Sequence, residues 1–216
     1  MTREEIRKQI RDIGLIPSIR VASADLAIFA AEHVADGGIP IVEIASTIPN
    51  SDQVIRELSQ RFPSLIIGAE VVAGLDVARR QLDLGAAFLT GPNFNPEITA
   101  YCVKHEIITI PGALTPTEIL LAYTAGADFV KVFPCANVGG DKYIRAIKAP
   151  LHHVPLVAAG GVTQSTAAQY IAAGADALGV GEDMIPRQAL RFREGAWIRE
   201  LASRFRAFVQ QARANL

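Results

Sequence analysis

Three charged residues interrupt short apolar runs that are otherwise typical of buried strands. Lys131 lies among Val and Phe neighbours, Glu43 lies among Ile and Val neighbours, and Arg20 ends an apolar run that begins at Leu15. Burying a charged group costs free energy unless the group is paired with a partner or used in chemistry. Each of the three is therefore a candidate for a functional site.

Lys131 is one of only five lysines in 216 residues, and its neighbours predict that it lies on a buried strand. Loss of hydration favours the neutral amine, so we expect a lowered pKa for Lys131. A neutral amine is the nucleophile that forms a Schiff base with a carbonyl compound. The alternative is a lysine that extends to solvent or pairs with a carboxylate.

Glu43 could move protons for such a lysine. Burial raises the pKa of a carboxyl group and so suits it to act as a general base. The alternative is that Glu43 only neutralises Lys131 in a buried ion pair. The two interpretations are compatible, because a Schiff-base enzyme needs a proton carrier beside its lysine.

Two further features suggest an anion site. Arg20 could hold a carboxylate or a phosphate through forked hydrogen bonds, and its alternative is a salt bridge at the rim of the protein. Gly160 and Gly161, followed by Val162, could present backbone N–H groups to an anion, and their alternative is an ordinary tight turn.

The elements that would position these residues alternate regularly along the chain. Short apolar runs predict eight buried parallel strands, namely Leu15–Arg20, Ile41–Ile44, Leu65–Val72, Phe88–Thr90, Ile107–Ile110, Phe129–Phe133, Pro155–Ala159 and Ala177–Val180. Amphipathic segments between and after them predict helices over Ala24–Asp36, Ser51–Arg61, Leu75–Leu84, Pro96–His105, Pro116–Thr124, Gly140–Ala146, Gln164–Ala173 and Ala196–Ala214.

Strict alternation of eight strands with helices predicts a single α/β domain over residues 1–216, a (βα)8 TIM barrel. It has an N-terminal helix and a long C-terminal helix. Glycine-containing turns recur where helices lead into strands, at Gly38, Gly85, Gly126 and Gly174, and we expect left-handed helix ends there. An open, doubly wound sheet is the structural alternative.

Composition excludes several classes of function. Half of the residues are hydrophobic, a fifth are charged, and the formal net charge is -1. This balance argues against a nucleic-acid-binding protein and against disorder. No apolar run reaches the ~18 residues of a membrane span, and the charged N-terminus lacks the apolar core of a secretory signal. We expect a cytoplasmic protein that binds a small molecule, and neither nucleic acid nor membrane.

The cysteines and histidines show no metal-binding pattern. Cys102 and Cys135 form neither a disulfide framework nor a metal-ligand spacing, and the four histidines form no ligand motif. The sequence therefore predicts no metal site.

Five segments together resemble one known family. Over nearly its whole length, the chain is similar to the 2-dehydro-3-deoxyphosphogluconate (KDPG) and 4-hydroxy-2-oxoglutarate (KHG) aldolases. The resemblance rests on Ile16–Arg20, Val42–Ile44, Pro111–Glu118, Phe129–Pro134 and Ala159–Val162. The segments Pro111–Glu118 (PGALTPTE) and Phe129–Pro134 (FVKVFP) are the ones specific to this family.

The resemblance implies a class I aldolase on a (βα)8 barrel, assembled as a homotrimer and needing no metal or organic cofactor. It implies that Lys131 forms the Schiff base, that Glu43 is the general acid and base, and that a 2-keto acid substrate yields pyruvate and an aldehyde. The implied substrate-binding residues are Arg20, Thr47, Pro92, Phe133, Ala159, Gly160, Gly161, Gly181 and Glu182.

The chain departs from the family pattern at positions that contact anions. Thr47 stands where some members have an arginine, Glu70 and Val71 stand where the family has glycine and threonine, and Glu182 replaces a small or hydroxyl residue. These changes remove hydrogen-bond donors and add carboxylates, which repel anions unless they point outward or pair, as Glu182 could with Arg187.

Three hypotheses follow. The first is an aldolase for 2-dehydro-3-deoxy-6-phosphogluconate, a similar 2-keto-3-deoxy sugar acid, or 4-hydroxy-2-oxoglutarate. The second is a related Schiff-base lyase for an unphosphorylated 2-keto acid. The third is a non-catalytic barrel that binds a small keto acid.

Overall fold

The computed structural model describes all 216 residues. The strands are β1 (Leu15–Ile19), β2 (Ile41–Ala45), β3 (Ile66–Glu70), β4 (Phe88–Thr90), β5 (Ile108–Ile110), β6 (Gly112–Ala113), β7 (Val130–Val132), β8 (Leu156–Ala159) and β9 (Ala177–Val180). The helices are α1 (Arg3–Ile13), α2 (Ala24–Asp36), α3 (Ser51–Arg61), α4 (Leu75–Asp83), α5 (Pro96–Lys104), α6 (Pro116–Thr124), α7 (Asp141–Lys148), α8 (Gln164–Ala172), α9 (Arg187–Arg191) and α10 (Gly195–Ala214).

All nine strands are parallel, and they form a barrel in the order β5-β4-β3-β2-β1-β9-β8-β7-β6. The two ends of this order, β5 and β6, are separated only by Pro111. Strand β5 pairs with β4, and β6 pairs with β7. The carbonyl of Pro111 accepts a hydrogen bond of 2.9 Å from the backbone N–H of Lys131. The barrel therefore closes at this point, and the open-sheet alternative is wrong.

Every predicted strand overlaps an observed one, and the ninth strand arises because the fifth continues past a proline. Pro111 has no N–H to donate, so it interrupts the ladder between β5 and β6. The predicted TIM barrel, with its N-terminal and long C-terminal helices, is confirmed. Gly38, Gly85, Gly126 and Gly174 all have positive φ, as expected for left-handed helix ends.

Helix α1 packs against the apolar interior of the barrel. Thr2 and Glu5 form a capping box at its start, so the helix begins directly after Thr2. Its buried face carries Ile6 and Ile10, which belong to a separate apolar cluster. The rest of that cluster is formed by Ile16, Ile41, Ile66, Phe88, Ile108, Ile110, Phe129, Val157 and Ala177. Most of these side chains come from the first residues of strands, so α1 covers the N-terminal end of the barrel.

A larger apolar cluster fills the layer between the strands and the surrounding helices. Helix α10 packs against α2 and α8 and contributes Ile198, Phe205 and Val209 to this layer. Helix α9 is not predicted from the sequence, because five residues are too few to show a helical period. No helix is both long enough and apolar enough to cross a membrane.

Candidate active site

Lys131 lies between two buried carboxylates inside the barrel. Its Nζ is 3.0 Å from Oε1 of Glu43 and 2.8 Å from Oε1 of Glu70. All three side chains are at most 5% exposed. Two carboxyl groups and one amino group are therefore buried together in a site that is largely shielded from water. Electrostatic interactions between them are much stronger there than in water.

The strand register brings these groups together from three different strands. Glu43 is the central residue of β2, Glu70 is the last residue of β3, and Lys131 is the central residue of β7. Because side chains of a strand alternate between its two faces, each of these residues can point into the barrel while its neighbours pack outward. The hydroxyl of Thr90, the last residue of β4, donates a hydrogen bond of 2.7 Å to Oε2 of Glu43.

Burial acts strongly on all three groups, and their partners decide the direction of each pKa shift. Burial raises the pKa of Glu43, although Lys131 opposes the rise; the nearby charge of Glu70 adds to it. Burial also opposes ionisation of Glu70, but Lys131 and Arg20 outweigh it and lower the pKa of Glu70. Burial favours the neutral amine of Lys131, but the two carboxylates outweigh it and raise the pKa of Lys131.

The sequence-based expectation of a lowered pKa for Lys131 is therefore wrong. The apolar neighbours on its own strand indicate burial, but they do not reveal two carboxylates contributed by other strands. Resting Lys131 is an ammonium group, so a nucleophilic amine requires removal of a proton. Glu43, with its raised pKa, is suited to accept that proton, and Glu70 is suited to remain ionised.

Arg20 and Ser18 hold the second oxygen of Glu70. The guanidinium of Arg20 donates to Oε2 of Glu70 at 3.0 Å, and the hydroxyl of Ser18 donates to the same atom at 3.1 Å. Arg20 is 55% exposed, whereas Glu70 is 5% exposed. Arg20 thus forms the salt bridge at the rim that is the alternative interpretation of this residue. Its partner is the carboxylate of Glu70.

The backbone that carries Glu70 is strained. Val71, the next residue, has a φ of 60°, a left-handed conformation that is an outlier for a β-branched side chain. The hydroxyl of Ser46 donates to the carbonyl oxygens of both Glu70 and Val71 and so holds this turn in place. Strain of this kind clusters at functional sites, where the surrounding structure fixes a particular side-chain direction.

A cavity of about 380 Å³ opens above Lys131. Of the predicted site residues, those lining the cavity are Arg20, Glu43, Lys131, Phe133, Ala159, Gly160, Gly161, Gly181 and Glu182. Thr47 is exposed and does not line it. Pro92 lines a separate, smaller cavity of about 150 Å³ together with Val71 and Thr90. The structure thus brings together all predicted site residues except Thr47 and Pro92.

The loops after β8 and β9 form one side of the large cavity. Glu182 does not point at a free anion site: its Oε1 is 3.2 Å from Nε of Arg187, and both side chains are exposed. Gly160 and Gly161 both have a φ of 84°, so the turn they form requires glycine. A Cβ at Gly161 would lie 2.4 Å from Cβ of Ala136.

Sequence reasoning did not single out Ser18, Thr163 or Asp183, which also line the cavity. Ser18 has a usable signal, because it lies two residues before Arg20 and therefore shares its strand face. Thr163 and Asp183 lie in loops, where no periodic pattern reports the direction of a side chain.

Comparisons with known proteins agree over most of the chain. A sequence profile described as KDPG and KHG aldolase matches residues 6–201. The 2-dehydro-3-deoxy-6-phosphogalactonate aldolase of Escherichia coli (strain K12) is 31% identical over 203 residues, which are 93% of this chain and 95% of that protein.

Two solved structures share the fold. One, described as a native KDPGal structure, has a TM-score of 0.84 at 29% identity and covers 94% of this chain and 96% of its own. The other is KDPG aldolase from Legionella pneumophila with pyruvate captured as a covalent carbinolamine intermediate. It has a TM-score of 0.84 at 25% identity and covers 91% of this chain and 96% of its own.

Proposed function

The chain belongs to the KDPG and KHG aldolase family, and from this premise we propose that it cleaves a 2-keto acid through a Schiff base on Lys131. The substrate is a 2-keto-3-deoxy sugar acid or 4-hydroxy-2-oxoglutarate, and the products are pyruvate and an aldehyde. The observation that carries the proposal is the contact of a single buried lysine with two carboxylates whose pKa values shift in opposite directions.

The reaction begins with a proton transfer inside the ion cluster. The ammonium of Lys131 gives a proton to Glu43, whose Oε1 is 3.0 Å away, and the resulting amine attacks the C2 carbonyl of the substrate. The alkoxide that forms takes up the proton that the attacking nitrogen loses, and the carbinolamine then loses water as protonated Glu43 gives its proton to the departing hydroxyl. The product of these steps is a positively charged iminium, and Glu70 stabilises its charge because it stays ionised.

In the carbon–carbon cleavage that follows, Glu43 acts as a base instead of an acid. Ionised Glu43 accepts the proton of the C4 hydroxyl, the C3–C4 bond breaks, and its electron pair moves into the iminium to give an enamine. The aldehyde leaves at this point. Protonated Glu43 returns its proton to C3, and water hydrolyses the iminium to pyruvate and the free amine of Lys131. Thr90, which donates to Oε2 of Glu43, keeps that carboxyl oriented through the cycle.

A non-catalytic barrel that binds a keto acid is the competing function, and one experiment separates the two. Pyruvate and borohydride are added to the full chain, which is then digested and analysed by mass spectrometry. We expect a reduced pyruvyl group on Lys131, because only an amine that forms an imine is trapped by reduction. A barrel that only binds pyruvate gives no adduct.

Two variants sharpen this experiment. Lys131→Arg keeps a positive charge beside the carboxylates but cannot form the imine, so the adduct disappears. Lys142→Arg changes an exposed lysine on α7 outside the cavity, and its adduct is retained on Lys131. An unmodified Lys131, or an adduct that survives in Lys131→Arg, contradicts the proposal.

We further propose that residues 1–216 fold as one domain and that three chains assemble into a homotrimer. The single closed barrel supports the first part. The second part is supported by family membership. Thermal unfolding of the full chain at several concentrations, together with its sedimentation mass, tests both parts.

A further inference from the structure

The loops after β8 and β9 bring hydrogen-bond donors to the cavity that holds Lys131. The backbone N–H groups of Gly160 and Gly161 donate no hydrogen bond within the chain. These two groups are therefore free to donate to an oxygen atom of a bound molecule.

The same loops also bring a carboxylate to the place where an anion would otherwise bind. The free N–H groups at the start of a helix attract anions, and α8 starts beside this cavity at Gln164. Here Oδ2 of Asp183 accepts the hydrogen bond of the Gln164 N–H at 2.8 Å. The N–H groups of Thr166 and Ala167 donate to the carbonyl of Thr163 at 3.1 and 2.9 Å. The first N–H of the helix, that of Gln164, is thus already paired with a carboxylate of the chain.

The remaining charges nearby do not compensate for Asp183. Arg187 is the one cation among the cavity-lining residues of the loop and helix after β9, and its guanidinium pairs with Glu182. Arg187 is 87% exposed, so water screens its charge strongly. Two carboxylates and one guanidinium leave this side of the cavity with a net negative charge.

We propose that Asp183 determines specificity, and that the aldehyde end of the substrate is an uncharged polyhydroxy chain without phosphate. This inference rests on the proposed aldolase function. A hydroxyl group can donate to Asp183 and accept from Gly160 or Gly161, whereas a phosphate dianion can only accept. The mixture of donors and carboxylate acceptors at this end therefore matches hydroxyl groups and repels phosphate.

The unmodified chain gives the primary test. Pyruvate is combined with glyceraldehyde in one series and with glyceraldehyde 3-phosphate in another, and kcat/KM is measured for the aldehyde. We expect kcat/KM for glyceraldehyde to exceed that for its phosphate by about tenfold or more, because the carboxylate of Asp183 repels the phosphate. A preference for the phosphorylated aldehyde overturns the proposal.

Asp183→Asn isolates the charge. The variant keeps an oxygen that accepts from the Gln164 N–H, and we expect the preference for glyceraldehyde over its phosphate to fall by about tenfold. Asp83→Asn makes the same chemical change on an exposed residue at the end of α4, outside the cavity, and leaves the preference unaltered. Equal shifts in the two variants show an effect of net charge alone and overturn the proposal.

Borohydride trapping with pyruvate alone keeps this inference separate from the proposed function. An adduct on Lys131 without turnover of glyceraldehyde overturns the inference but leaves the Schiff-base function standing. Absence of the adduct overturns the Schiff-base function, and the inference falls with it.

Discussion

Lys131 is positively charged at rest because two carboxylates lie within 3.0 Å of its Nζ. A buried lysine without such partners loses its proton more readily, since burial alone favours the neutral amine. The site therefore combines a protected nucleophile with an adjacent proton acceptor. Glu43 and Glu70 have different roles. Burial raises the pKa of Glu43 and makes it a proton carrier, whereas Lys131 and Arg20 keep Glu70 ionised.

Glu70→Gln tests this division at the residue scale. Glu70 stabilises the ammonium form of Lys131, so removing its charge lowers the pKa of Lys131. The neutral amine then forms at lower pH, and the pH profile of the borohydride-trapping rate with pyruvate shifts toward acid. The measurement is the trapping rate across a pH series for the variant and the unmodified chain.

Ser18→Ala is the matched control for Glu70→Gln. It removes the 3.1 Å hydrogen bond to Oε2 of Glu70 but keeps the carboxylate charge. We expect its pH profile to stay close to that of the unmodified chain. An unchanged profile in Glu70→Gln, or an equal shift in Ser18→Ala, shows that the charge of Glu70 does not hold Lys131 protonated.

Helix α1 is the element that completes the interior of the barrel. Its side chains Ile6 and Ile10 join a cluster formed mainly by residues at the starts of the strands, on the side opposite the catalytic cavity. Arg3 on the same helix forms a salt bridge of 3.0 Å with Asp128, which lies just before β7. An apolar barrel interior left open at this end would expose these side chains to water.

Ile10→Ala should destabilise the protein by about 2–5 kcal/mol, since Ile10 is fully buried and its loss leaves a cavity. Urea unfolding followed by circular dichroism measures the change. Ile13→Ala, at a half-buried position on the same helix, should cost clearly less. Equal losses in the two variants contradict a packing role specific to Ile10. The variant's folded fraction should keep its Lys131 adduct, because α1 lies away from the cavity.

The whole molecule depends on closure of the barrel. Seven of the nine strands are hydrogen-bonded to a neighbour on both sides, and β5 and β6, at the two ends of the order, follow each other in the chain across Pro111. If some of the strands separated from the barrel, the strands next to them would be left with unpaired edges. The cavity, whose lining residues come from several strands, exists only when the ring is complete.

Thermal unfolding of the full chain should therefore show one transition, with coincident midpoints from circular dichroism and from fluorescence of Trp197. If three chains associate and unfolding separates them, the midpoint rises with protein concentration. The measurement is a series of melting curves over a wide range of concentrations.

Two separated transitions contradict a single domain. A midpoint independent of concentration, together with a sedimentation mass equal to the 23.1 kDa of one chain, contradicts the homotrimer. The two parts of the proposal can thus fail separately.

The sequence by itself predicted eight strands alternating with helices, and it placed Lys131 and Glu43 on buried strands. These features follow from local patterns, because apolar runs, helical periods and turn glycines act over a few residues. It did not determine the contact of Lys131 with Glu70, a residue 61 positions away. Nor did it determine the hydrogen bond from Gln164 to Asp183.

Only the tertiary structure decided the protonation of Lys131 and the charge at the far side of the cavity. Both depend on distances between side chains from different strands and loops, and these distances exist only after the barrel closes. An electrostatic interaction changes several-fold over a few ångströms and with the surrounding dielectric. Burial alone therefore predicts a neutral lysine, whereas burial beside two carboxylates gives a charged one.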